Sequence, residues 1–245
     1  MHGGGFIALS SRLMQTYTRR WARKLRIPIF SIDYRMPPEH PFPTATNDCL
    51  RVYEFLLTHI HKYMNVHPKK IILAGDSAGG NLTFSLCAAI MKKKLPSPYG
   101  LYAAYPALDL RPYFSPAKLC AFTDPLLRPS MLMLCLREYT KDDEEIQTNP
   151  IASPLLLTES YFDEENGNNM FPRNWPKTRI QVGAKDPLYD DSIRVMERMV
   201  NSKVDCKCQV YENLSHGFLN LDAMVDECEK TVTDSIEHLQ HLINS

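Results

Sequence analysis

Lys69-Lys-Ile-Ile-Leu-Ala-Gly-Asp-Ser-Ala-Gly-Gly80 decides how this chain is to be read. An apolar run ends in a glycine, a serine follows two residues later, two more glycines come next, and a helix-forming apolar segment leads out. A serine held on a strand-to-helix turn this tight brings the residues two before and two after it into contact. Both must therefore be small, and Gly75 and Gly79 are. Such a turn lifts the serine hydroxyl clear of the backbone, where it can attack a carbonyl once a base takes its proton.

Working outward, short apolar runs predict strands over Ile27–Ile32, Lys70–Gly75, Gly100–Tyr105, Thr178–Gly183 and Cys206–Glu212. Helical apolar spacing covers Ser11–Leu25, Thr44–Met64, Ser77–Lys94, Asp190–Val200 and Asp222–Ile243. Strands alternating with helices predict an α/β fold, a mostly parallel sheet with helices on both faces, whose ligands gather beyond the carboxyl ends of the strands. Ser77 falls there. We expect one domain over residues 1–245, with residues 107–176 as a cap-like insertion between two sheet strands. Met131–Leu136 within it reads as a packing helix, and the alternative is that Met131, Met133 or Leu134 lines an acyl pocket.

A serine needs a base and an orienting acid. His216, in Asn213-Leu-Ser-His-Gly-Phe218 after the last predicted strand, is the candidate base. His40, His59, His61, His67, His238 and His241 lack a companion motif and read as solvated or packed. Asp186, presented by the loop that follows the strand Thr178–Gly183, is the candidate acid, with Asp190 and Asp191 as close competitors whose other reading is helix-start carboxylates. At the other end, His2-Gly-Gly-Gly5 supplies backbone donors. Gly3, Gly4 and Ala78 are the expected oxyanion hole, with His2 as a loop anchor.

These motifs together resemble the hormone-sensitive lipase family of α/β-hydrolases. The resemblance extends to Asp33-Tyr-Arg…Pro-Glu39…Phe-Pro43, Ala103-Ala-Tyr-Pro106, Thr123-Asp-Pro-Leu-Leu127, Ser153-Pro-Leu-Leu156, Asp186-Pro-Leu-Tyr-Asp-Asp-Ser192 and Ser215-His-Gly-Phe-Leu-Asn220. It covers essentially the whole chain. It implies the α/β-hydrolase fold, a triad of Ser77, Asp186 and His216, and hydrolysis of carboxylic acyl esters, acylglycerols among them, through an acyl-enzyme. The family also carries strands ahead of the His-Gly-Gly-Gly loop, so N-terminal strands are expected to be missing here. Three readings stand: a serine esterase or lipase (with amide cleavage as a close variant), a non-catalytic ligand-binding module of the same fold, and an inactive fragment.

Composition narrows the partners. Lys plus Arg number 28 and Asp plus Glu number 28, so net charge gives no reason to expect nucleic acid. Seven cysteines without paired spacing, and no signal-like or membrane-spanning run, point to a cytoplasmic protein whose Cys206-x-Cys208 is structural. No cofactor or metal is expected. The expected partner is a small-molecule or lipid acyl ester, with lipid-surface association left open.

Overall fold

The computed structural model describes residues 1–245 except Phe114, Ala121 and Thr123, and of Cys120 the backbone alone. Thr123 of the Thr-Asp-Pro-Leu-Leu motif therefore lies outside the described residues. Among the described residues, four parallel strands form one sheet in sequence order: β1 (Ile72–Asp76), β2 (Gly100–Ala104), β3 (Lys177–Gly183) and β4 (Cys206–Tyr211). The register pairs Gly75 with Ala103 and Ala103 with Ile180.

The helices are α1 (Gln15–Leu25), α2 (Thr44–Thr58), α3 (His61–Met64), α4 (Ala78–Lys92), α5 (Pro116–Cys120), α6 (Pro129–Thr140), α7 (Glu144–Thr148), α8 (Glu159–Phe162), α9 (Tyr189–Asn201) and α10 (Asp226–Asn244). Two-residue alternation along β2 sends Leu101 and Ala103 into one core and Tyr102 and Ala104 into another. The first core is completed by α2, α4 and α9 through residues such as Leu50, Leu82 and Val195. Tyr17 and Trp21 of α1 and Val232 and Leu242 of α10 complete the second. Every residue of β2 is buried because both faces are covered. Trp21 Nε1, an indole donor that burial would otherwise orphan, donates to Ser235 Oγ at 2.7 Å and pins α1 to α10.

Two expectations change. Ile27–Ile32 is not a strand, and Ile27, Ile29 and Phe30 are about one-third exposed. A strand needs a neighbouring backbone to complete its ladder. Here a cavity of about 570 Å³ is lined by Ile27–Ile32 and by Ile72–Gly75 of the edge strand β1, and also by Trp21, Tyr53, Leu239 and Ile243. The apolar pattern is present, but its pairing partner is out of reach. The helix expected over Thr44–Met64 also breaks. The amides of His59 and Ile60 both donate to Phe55 O, and Ile60 turns into the interior before α3 begins.

Between β2 and β3 lie helices α5 to α8. Met131–Leu136 falls in α6 as a packing segment: Leu132, Cys135 and Leu136 are buried, while Met131 and Met133 are exposed. Cys206 and Cys208 lie in β4, where burial pushes both thiols up to about 12. No helix among the described residues is long and apolar enough to cross a membrane.

Candidate active site

Ser77 joins β1 to α4 at φ 54° and ψ −118°, a conformation that costs a non-glycine residue free energy and persists only when its surroundings enforce it. They do. The Ser77 amide donates to Ala104 O at 2.9 Å, and Ser77 O accepts from the Asn81 amide at 3.0 Å. A Cβ on Gly75 would run into the carbonyl of Gly79, and one on Gly79 into the carbonyls of Met1 and His2. The turn therefore requires glycine at both places, and it presses the N-terminal loop directly against the start of α4.

Three side chains from separate loops meet at this turn. Ser77 Oγ lies 2.9 Å from His216 Nε2, and His216 Nδ1 lies 2.9 Å from Asp186 Oδ2. The second oxygen of Asp186 accepts from the Leu188 amide at 2.7 Å, which fixes the carboxylate plane. All three are at least nine-tenths buried. Burial opposes a charged imidazole. Asp186, aided by Asp124 and Asp76, outweighs it, so the His216 pKa is raised above its ordinary value. Tyr105 sets its ring at 62° to the imidazole, 4.8 Å away.

Asp190 and Asp191 do not reach His216. Both lie in the first turn of α9, and both serve the insertion between β2 and β3. Asp190 accepts from the Ala117 amide at 2.8 Å. Asp191 accepts from the amides of Leu108 and Asp109 and stands 3.7 Å from the Lys118 ammonium.

The glycine loop differs from expectation in one donor. The Gly3 amide donates to Asp76 Oδ1 at 2.9 Å, and the same oxygen takes the Tyr17 hydroxyl at 2.7 Å. An amide held by a buried carboxylate is not free for an oxyanion, so Gly3 is a tether rather than a donor. Among the described residues, nothing accepts from the amides of Gly4, Gly5 or Ala78. The acidic residue within Gly75-Asp-Ser77 is the sequence signal for the carboxylate that takes the Gly3 amide. His2 stacks on Tyr34 at 4.3 Å, its Nδ1 lies 2.7 Å from Gly3 O, and burial lowers its pKa. That arrangement anchors the loop.

The segment between β2 and β3 makes two contacts beside the site. Leu126 packs on Gly217, next to the histidine, and the Cys135 sulfur packs on Gly5. The cavity beside β1 lies behind the loop at His2 and Gly75, and Ser77, Asp186 and His216 do not line it. Among the described residues, no cluster of His, Cys, Asp and Glu has the arrangement of a metal site.

The family model described as alpha/beta hydrolase fold matches residues 1–220. The chain belongs to the α/β-hydrolase fold family. Within that family it is similar to human hormone-sensitive lipase, at 41% identity over 148 residues, which is 60% of this chain and 14% of that protein. It is 29% identical to an esterase of Acinetobacter venetianus over 237 residues, 97% of this chain and 72% of the esterase. This α/β-hydrolase thus spans a small part of the hormone-sensitive lipases and most of the bacterial esterase. Among solved structures, a hormone-sensitive lipase from a metagenome library matches with a TM-score of 0.82 at 26% identity, covering 98% of this chain and 76% of that one. An esterase of Pyrobaculum calidifontis shares the fold with a TM-score of 0.87 at 24% identity, covering all of this chain and 74% of its own.

Proposed function

We propose that this α/β-hydrolase is a serine carboxylic ester hydrolase that works through an acyl-enzyme. The observation that carries the reading is the continuous hydrogen-bonded line from Ser77 through His216 to Asp186, 2.9 Å at each step. His216 Nε2 takes the proton of Ser77 Oγ as the oxygen attacks the ester carbonyl, and Asp186 holds the imidazole and stabilises the imidazolium. Negative charge develops on the carbonyl oxygen at the tetrahedral stage. The free amides of Gly4, Gly5 and Ala78 are the donors suited to hold it, Ala78 at the positive end of α4. His216 then protonates the leaving alcohol. Water, activated by the same imidazole, attacks the acyl carbonyl and releases the acid.

The segment 107–176 acts in this scheme as a cap, because Leu126 and Cys135 pack on the glycines beside the histidine and in the oxyanion loop. Similarity to proteins named hormone-sensitive lipase supports acylglycerols as substrates alongside simple esters.

Ser77→Ala is the test. Turnover of p-nitrophenyl butyrate is expected to fall by about 10³-fold or more, and a fluorophosphonate probe is expected to label the parent and not the variant. Unchanged turnover in Ser77→Ala would refute the proposal.

A further inference from the structure

The Thr123–Leu127 motif has no place in the chemistry above, yet its aspartate reaches the catalytic histidine's backbone. Asp124 belongs to the insertion and is 2% exposed. Its Oδ1 accepts from the amides of Leu126 and Leu127 at 2.8 and 2.7 Å, a turn within its own segment. Its Oδ2 accepts from the amide of His216 at 2.8 Å, across 92 residues of sequence.

A buried carboxylate needs several donors to offset its lost hydration, and these three amides supply them. The His216 amide is buried too and would be left without a partner if Asp124 withdrew. Further contact follows the same line. Leu126 packs on Gly217, whose φ of 80° turns the chain away from the histidine, and Leu127 is buried in the core. The imidazole is therefore aimed by Asp186 and Tyr105, while the backbone that carries it is held from the insertion.

We propose that Asp124 is a positioning residue that locks the histidine loop to the insertion, so that His216 stands at Ser77 only while the 124–127 turn is seated. This rests on the reading of Ser77, His216 and Asp186 as a hydrolytic triad. The charged groups facing the imidazole are Asp186 from the loop after β3, Asp124 from the insertion and Asp76 from the end of β1. Asp124 thus affects both the position of the histidine and the charge around it.

Asp124→Asn keeps the shape but offers one carbonyl oxygen where two carboxylate oxygens served, so one of the two amide sets loses its acceptor. With p-nitrophenyl butyrate, kcat is expected to fall about 10- to 100-fold with KM little changed, as for a misplaced catalytic group. The acid limb of the rate profile is expected to move to lower pH, because a negative charge beside the imidazolium is gone. In a His216→Ala background, Asp124→Asn is expected to cost no further activity. Amide hydrogen exchange on the parent checks the contact without any substitution: the His216 amide should exchange slowly.

A parent with no turnover overturns the hydrolase reading and this proposal with it. A parent that turns over, with Asp124→Asn at full kcat and an unmoved acid limb, overturns this proposal alone. So does fast exchange at His216, or an equal loss in the His216→Ala background.

Discussion

His216 meets two opposed demands. Burial disfavours its charge, whereas the proposed reaction passes through an imidazolium at each stage. Asp186 at 2.9 Å resolves the conflict in favour of charge and raises the pKa. Because the base must be neutral to accept the serine proton, kcat/KM is expected to fall on the acid side with a midpoint above the ordinary value of about 6.5. Asp186→Asn removes the main partner of the imidazolium and leaves burial to dominate, so the midpoint should move down. The rate should drop by about 10⁴-fold, since the tautomer is no longer held. A pH–rate series on both proteins measures this, and a midpoint that stays put in Asp186→Asn would contradict the account. Legibility was uneven among single residues. Ser77, Asp186 and His216 could be named from strand-and-loop context, and the structure brings them together. Gly3 was named a donor, but its amide belongs to Asp76, a bond spanning 73 residues that local pattern does not contain.

Among the elements, the turn between β1 and α4 leaves no room for a side chain at Gly75 or Gly79. Gly79 lies under the carbonyls of Met1 and His2, so this helix start and the N-terminal glycine loop share one contact surface. Gly79→Ala is expected to push the loop off the serine. It should cost about 1–3 kcal/mol of stability from overpacking, together with a loss of ester turnover larger than the stability change explains. Urea unfolding and p-nitrophenyl butyrate kinetics on the same preparation measure both, and full turnover in the variant would show that the loop has other room. Strands β1 to β4 were each readable within two residues from short apolar runs flanked by turn signals. Ile27–Ile32 carried the same pattern and is no strand, because apolar periodicity reports burial potential and not the presence of a neighbour to pair with. The break after Thr58 was equally invisible, since Ile60 continues the apolar pattern while the backbone turns.

Over the whole molecule, the insertion is fastened to the sheet by buried charge as well as by apolar packing. Asp191 on α9 accepts two amides from the loop after β2 and faces Lys118 of α5, which is 4% exposed. Burial pushes the Asp191 carboxyl up to about 6, against the pull of Lys118. Beside it, Asp109 pairs with Arg111 at 2.7 Å and approaches Arg194 at 3.6 Å. Asp191→Ala strands the Lys118 ammonium and two amides, and should cost about 3–5 kcal/mol. For a chain of this size that lowers Tm by about 10 °C, which calorimetry would detect. A shift within 2 °C of the parent would mean that Asp109 and solvent compensate. The composition anticipated none of this, because equal totals of acids and bases do not say which of them are buried together.

The alternation of short strands and helices, the serine turn and the chain order of serine, acid and histidine were all written in local sequence. The strands, helices and serine turn rest on residues within a few positions of one another, where backbone sterics and side-chain size decide the outcome, and the order of the three site residues is read directly along the chain. The rest followed from folding. Asp76 claims Gly3, Asp124 holds the histidine loop, Asp190 and Asp191 serve the insertion rather than the imidazole, and Ile27–Ile32 lies across a cavity from its nearest strand edge. These are hydrogen bonds and gaps between segments up to 92 residues apart. A buried polar group takes whichever partner the packed chain brings within reach, and the order of residues along the chain does not specify that partner.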